Sequence, residues 1–264
     1  MIKSINNRLG FPWEEVIVLF VTIIGFRLIS VRLGSSVIIW VIYDQIPLLL
    51  VILFAYLKRN GLIRFSSFKI EFRSFYRYML FLMIVTGFVC ISYSIASIII
   101  TAPALFQLDL INDITHNFSI WFYFKGLILA PLIEEFLFRG IILNVFLNRY
   151  SPAKAIIITT ILFSVMHLNP MQYLVTFLLG MLLGWYYYKT RNLLTCIIVH
   201  SFSNLIGLTI LKYFVDRLHN KFISSSTQVI QIDNVGLVIL LSVSLIFVGF
   251  FYLFKSLILD PSNE

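Results

Sequence analysis

Two adjacent carboxylates, Glu134 and Glu135, stand inside an apolar run, Pro131-Leu132-Ile133-Glu134-Glu135-Phe136-Leu137-Phe138-Arg139-Gly140. Near the centre of a membrane helix each acidic side chain costs roughly 2.5–3.5 kcal/mol on insertion scales, so two in succession need a reason. On a helix Glu135 and Arg139 are four residues apart and share a face, where a carboxylate and a guanidinium can pair. Glu134 lies about 100° further round, which directs its carboxylate away from that pair. Locking helices together would require one such pair and no second carboxylate.

Two further polar clusters follow. Phe163-Ser164-Val165-Met166-His167 places one histidine on an apolar segment, with Phe163 one turn earlier on the same face. By itself such a histidine reads more readily as a satisfied core residue than as a catalyst. His200-Ser201-Phe202-Ser203-Asn204 puts His200 and Asn204 on a common helical face. Alone, those groups could equally hold neighbouring helices together, a contact worth about 1 kcal/mol. Taken together, the six residues Glu134, Glu135, Arg139, His167, His200 and Asn204 carry a definite chemistry. A buried carboxylate near a histidine can hold and deprotonate a water for peptide hydrolysis. A second histidine and an amide can donate hydrogen bonds to the tetrahedral oxyanion. The alternative is a Zn²⁺ site with Glu134, His167 and His200 as ligands, whose bound water would be the nucleophile. The HExxH arrangement of soluble zinc peptidases is absent.

The elements that carry these residues are set by composition. Of 264 residues, 60% are apolar and 12% charged, against about 25% charged in a soluble domain. Such a chain cannot cover its own surface in water, and the expected fold class is an all-α polytopic transmembrane helix bundle. About eight segments have the apolarity and length of membrane helices, for which about 20 residues suffice. They lie near 14–33, 36–57, 78–100, 119–147, 154–169, 171–188, 193–213 and 235–255, in a single integral membrane domain over 1–264. The motif-bearing core covers about 119–210, and the first three segments and the last show no readable signature. Lys3 and Arg8 before the apolar run from Val16 suggest a signal peptide. Glu14, Glu15 and the lack of a small-residue cleavage site point instead to a retained first helix.

The formal charge of +8 accords with a membrane surface rather than nucleic acid, for which no binding motif is present. With a cytoplasmic N-terminus, the inner segments hold thirteen basic residues: Lys3, Arg8, Lys58, Arg59, Arg64, Lys69, Arg73, Arg77, Arg149, Lys154, Lys189, Arg191 and Lys255. The outer segments hold four, Arg32, Lys212, Arg217 and Lys221. That asymmetry predicts both termini in the cytoplasm. Between 62 and 77, Phe65, Phe68, Phe72 and Phe75 recur at helical spacing among Arg64, Lys69, Arg73 and Arg77, the pattern of an amphipathic helix in the cytoplasmic interface. Cys90 and Cys196 sit in apolar runs, with neither a disulfide framework nor metal-ligand spacing, and read as small packing residues.

The ordered trio resembles the CAAX-protease and bacteriocin-processing (CPBP, or Abi) family. EEFLFRG at 134–140 is similar to its EExxxR motif, FSVMH at 163–167 to FxxxH, and HSFSN at 200–204 to HxxxN, with no motif position substituted. The resemblance implies an intramembrane endopeptidase with a cavity open to the cytoplasmic side. Glu134 and His167 would activate the water, His200 and Asn204 would stabilise the oxyanion, and Glu135 with Arg139 would support them. It implies a peptide or membrane-protein substrate met in the lipid bilayer, with links among bacterial relatives to bacteriocin immunity and to pheromone or leader processing, while the absence of large loops and the Ile/Phe-rich composition suggest a bacterial plasma membrane. The family is often called metalloprotease, while its eukaryotic prenyl endoprotease looks glutamate-dependent. That contrast leaves both a Zn²⁺ site and a metal-free glutamate site open, with the balance slightly toward no tightly bound Zn²⁺. Two rival readings stand beside this one. A non-catalytic immunity or scaffold protein would bind a peptide or sensor partner. A transporter would use the buried charges as a relay, but no matched pair of broken helices is evident.

Overall fold

In a computed structural model, the described residues are 13–33, 37–58, 75–99, 120–168, 170–223 and 235–258. Among them the chain is all-α, with no strand. Each apolar segment of the sequence is a helix: α1 (Trp13–Leu33), α2 (Val37–Trp40, continuing through Val41–Gln45 to Ile46–Lys58) and α3 (Phe75–Ile99) come first. The fourth, α4, runs from Ile120–Phe124 through Lys125–Leu129, Ala130–Glu135 and Phe136–Ile142 to Leu143–Leu147. Then follow α5 (Pro152–Val165), α6 (Pro170–Thr190), α7 (Leu193–Ile223) and α8 (Val235–Ile258). The amphipathic stretch expected at 62–77 lies outside the described residues up to Ser74.

Three features depart from the sequence reading. First, α2 and α4 contain π-helical turns at Val41–Gln45, Lys125–Leu129 and Phe136–Ile142. A π turn accommodates one extra residue and strands carbonyls from their usual partners. Here Leu143 N–H reaches back five residues to Phe138 O. Asn144 Nδ2 takes up the Arg139 and Gly140 carbonyls at 3.0 and 2.9 Å. Second, α5 ends at Val165 instead of near 169, so His167 sits in the turn after the helix. Third, α7 is 31 residues long, about 46 Å at 1.5 Å per residue.

The helices form two compact units, one from Met1–Lys69 with Ile128–Ile198 and the other from Ile70–Leu127 with Val199–Glu264. In the first, α5 and α6 form an antiparallel hairpin whose close approach rests on small residues. A Cβ at Gly180 would meet Thr160 Cγ2 at 3.0 Å, and one at Gly184 would meet Ile156 Cγ2 at 3.1 Å. Four-residue spacing of such glycines lets two helix backbones approach where apolar solvent gives no hydrophobic drive.

In the second unit α3 packs along α8, burying Leu80, Phe81, Ile84, Val85 and Leu253. Gly87 and Gly249 set this contact. A Cβ on Gly87 would fall 2.5 Å from Ile246 Cγ1 and 2.7 Å from the Ser242 carbonyl, which as backbone cannot turn aside. Gly87→Ala should therefore lower the melting temperature in detergent. Helix propensity favours Ala by about 1 kcal/mol, but overpacking costs roughly 1–3 kcal/mol. An unchanged or raised melting temperature would show that α3 and α8 are less closely packed.

Alongside the apolar core, charged side chains are buried and many large apolar ones face outward. Arg139 and Glu135 are 1% and 0% exposed, whereas Ile120 and Phe247 are 78% and 73% exposed. Among the described residues one stretch, Leu237–Ser256, is both long and apolar enough to cross a membrane by length and composition, at a mean hydropathy of 2.7.

Candidate active site

The first unit brings Glu134, Glu135, Arg139 and His167 into one buried cluster. Glu135 and Arg139 pair as their spacing predicts, Arg139 Nη1 donating to Glu135 Oε1 at 2.7 Å. The guanidinium does not grip the carboxylate with both prongs. Arg139 Nη2 turns instead to the Gly180 carbonyl at 3.4 Å, and the guanidinium carbon stands 4.7 Å above the Phe163 ring. Because Gly180 lies at the close α5–α6 contact, its carbonyl is within reach of α4. The fork is thus divided between a charge and a backbone dipole, and Arg139 binds α4 to α6.

Phe163 explains the other half of its motif. Its ring meets Arg139 on one side, Phe138 edge-on at 5.1 Å, and the His167 imidazole at 5.0 Å. His167 Nδ1 lies 2.9 Å from the Phe163 carbonyl. A carbonyl only accepts, so Nδ1 carries the proton and, in the neutral ring, Nε2 presents a lone pair. The turn holding His167 is fixed as well. His167 N–H donates to Ser164 O, Leu168 adopts φ 52°, and Ser164 Oγ donates to Tyr173 O at 2.9 Å across to α6. A leucine in the left-handed region costs roughly 1–2 kcal/mol, which its surroundings must offset.

Glu134 and His167 come together. Glu134 Oε2 lies 4.0 Å from His167 Nε2, and Glu134 is 4% exposed. Glu134 does avoid Arg139, as its position on the helix requires, but it is ion-paired elsewhere: Arg27 Nη2 on α1 donates to Glu134 Oε1 at 3.1 Å. The same guanidinium donates from Nη2 to Asp44 Oδ2 at 3.2 Å and from Nη1 to Met166 O at 2.9 Å. Its Nε makes a 2.5 Å ion contact to Asp44 Oδ1, at an angle that is not that of a hydrogen bond. Gln45 Nε2 donates to Asp44 Oδ2 at 2.9 Å. The first helices therefore do carry a signature, contrary to the sequence reading. Arg27 and Asp44 each interrupt an apolar run, and the rule that marked Glu134 would have marked them too.

His200 and Asn204 belong to the second unit, one turn apart on α7. His200 is buried. Asn204 Nδ2 donates to the Gly126 carbonyl at 2.7 Å, within the π turn of α4. This bond uses one of the two amide protons and orients the other. α7 itself begins at a fixed point, because Asn192 Oδ1 caps it by accepting from Thr195 N–H at 3.1 Å.

Of the three residues named as metal ligands, Glu134 and His167 lie in the first unit and His200 in the second. A catalytic zinc takes three protein ligands, whereas among the described residues no three His, Cys, Asp or Glu side chains gather as a metal-binding set. Glu134 and His167 make only two donors, and the Arg27 cation already lies against one of them. What the pair can do is accept protons: a carboxylate oxygen and an imidazole lone pair face each other at a spacing longer than a direct hydrogen bond.

Residues 116–206 match the model of a family described as type II CAAX prenyl endopeptidase Rce1-like. All six candidate residues fall within that segment. Over 91 residues the chain is 36% identical to the UPF0177 protein YxdF of Lactococcus lactis subsp. lactis (strain IL1403), covering 34% of this chain and 49% of that protein. Over 87 residues it is 39% identical to an uncharacterized 24.3 kDa protein of Escherichia coli, covering 31% of this chain and 40% of that protein. The chain thus spans about half the length of the curated relatives it matches. No solved structure matches it. The likeness read from the three motifs holds over this segment, which is Rce1-like.

Proposed function

We propose that this chain is a multi-pass membrane endopeptidase that hydrolyses a peptide bond with a water activated by Glu134 and His167. The observation that carries the reading is the 4.0 Å approach of Glu134 Oε2 to His167 Nε2 inside an Rce1-like segment. A water at about 2.8 Å from both atoms would have a Glu–water–His angle of roughly 90°. Both groups accept, so the water would direct its two protons at them and its lone pair outward. Its oxygen attacks the scissile carbonyl carbon while one proton passes to Glu134. By the motif resemblance, His200 and Asn204 are the groups that would donate hydrogen bonds to the tetrahedral oxyanion. Glu134 returns its proton to the amine nitrogen as the carbon–nitrogen bond breaks. Glu135 and Arg139 hold the scaffold of α4. No step passes through a metal.

The membrane setting is supported by the buried charges and the many exposed large apolar side chains, which suit a hydrocarbon solvent. The substrate class is a membrane-associated peptide or protein, such as a bacteriocin, pheromone or leader peptide, in a bacterial plasma membrane. Purified protein should cleave a panel of such leader peptides in detergent, equally with and without a chelator. Absence of cleavage across the panel, or its loss to the chelator, would overturn the activity or the metal-free water respectively.

Orientation has its own test. Single cysteines at Ser66 and Ser151 should react with a membrane-impermeant maleimide from the cytoplasmic side, and one at Ser225 from the outside. The warrant is the thirteen-to-four distribution of basic residues. Reaction of Ser151 and Ser225 positions from one side would refute the eight-span arrangement.

A further inference from the structure

The guanidinium of Arg27 touches both the carboxylate and the turn on which the proposed water activation depends. Nη2 holds Glu134 Oε1 at 3.1 Å, and Nη1 holds the Met166 carbonyl at 2.9 Å, the peptide group that leads into His167. One planar cation thus fixes the carboxylate on α4 and the turn bearing the imidazole after α5. The residue itself is 8% exposed and cannot turn out to water. Asp44 holds it from the other side, through Nε and Nη2, and Asp44 is in turn held by Gln45 Nε2. Asp44 and Gln45 lie in the π turn of α2, whose widened backbone re-aims side chains relative to a regular helix.

We infer that Arg27, braced by Asp44, is a positioning residue that sets the distance between Glu134 and His167. The inference rests on the proposed function for its consequence in catalysis, but its geometry is independent of it. A guanidinium is required rather than any cation, because three separate partners are met by a rigid planar fork that an ammonium cannot supply.

The test follows two readouts in the full-length protein in detergent. The first needs no substrate: diethylpyrocarbonate modification of each histidine, followed by mass spectrometry. Arg27→Ala should raise the rate at His167 at least about tenfold, since its turn loses the Nη1 anchor, while His200 in the same sample keeps its rate. Equal acceleration at both histidines would mean general unfolding; Arg27→Lys, which keeps the charge, then decides, with a His167 rate raised about threefold or more against an unchanged His200. An unchanged His167 rate in a folded Arg27→Ala or Arg27→Lys protein overturns the inference. The second readout is cleavage of the best peptide from the leader panel. Arg27→Ala should lower kcat about 10²-fold, the scale of an ångström of misplacement, with little change in KM, and Arg27→Lys should restore part of it. Wild-type kcat in Arg27→Ala would defeat the positioning role even where Glu134→Gln abolishes cleavage. Wild-type cleavage by Glu134→Gln would instead defeat the proposed mechanism, leaving His167 reactivity to judge Arg27.

Discussion

Glu134→Gln should leave the protein folded, inserted and able to bind peptide, yet slow cleavage by about 10²–10⁴-fold, the usual contribution of a general base. The amide keeps the shape of the side chain and still accepts from Arg27 Nη2, so the ion pair becomes a neutral–charged hydrogen bond rather than an empty space. What it cannot do is take the proton of a water lying toward His167 Nε2. His167→Ala should be comparably slow, because it removes the second acceptor. The double variant should lose little more than either single one, since two groups acting on one water are not additive. Asn204→Ala removes a donor whose orientation depends on Gly126, and should cost no more than about 2.7–4 kcal/mol of transition-state stabilisation. The measurement is kcat and KM for one leader peptide across the four proteins. Full wild-type kcat in both Glu134→Gln and His167→Ala would end the general-base reading.

The sequence made the chemistry legible where two signals coincided. A carboxylate pair in an apolar run is costly enough to demand a function, and i,i+4 spacing alone gave the Glu135–Arg139 pair. Helix positions were legible for the same reason, since apolar length is a strong signal. What could not be read was local. Sequence spacing assumes 3.6 residues per turn and does not reveal the π turns at Val41–Gln45 and Phe136–Ile142, although the Glu135–Arg139 pair forms across the start of the second. The end of α5 was misplaced because apolarity continues through Met166 and Leu168, while the chain turns there with Leu168 at φ 52°. Arg27 illustrates a different gap. An isolated arginine among apolar residues is visible in the sequence. Its partners, 17, 107 and 139 residues away, are not, and no spacing rule links them.

Arg139→Ala should reduce the amount of folded protein in the membrane before any assay of activity is made. Arg139 and Glu135 are 1% and 0% exposed, so the carboxylate left behind has no access to water. Removing one partner of a buried pair costs about 3–5 kcal/mol, which is roughly two to three and a half decades in the folded-to-unfolded ratio. A single domain commonly has only about 5–15 kcal/mol in hand. Arg139→Lys should recover only part of the loss. An ammonium can meet Glu135 but cannot also reach Gly180 O and stand over the Phe163 ring, as the guanidinium does. The decisive comparison is Glu135→Leu combined with Arg139→Met. Replacing both charges with apolar groups removes the desolvation penalty together with the pair, so abundance should return toward wild type. Cleavage should nevertheless stay low in that double variant, because Phe163, which contacts the His167 ring at 5.0 Å, loses the cation that seats its other side. Quantitative immunoblotting of membranes and thermal unfolding in detergent measure the first effect, and kcat the second. Normal abundance of Arg139→Ala would mean that the Glu135–Arg139 pair contributes nothing to folding. Full activity of the Glu135→Leu, Arg139→Met protein would mean that Phe163 does not carry the influence of Arg139 to His167.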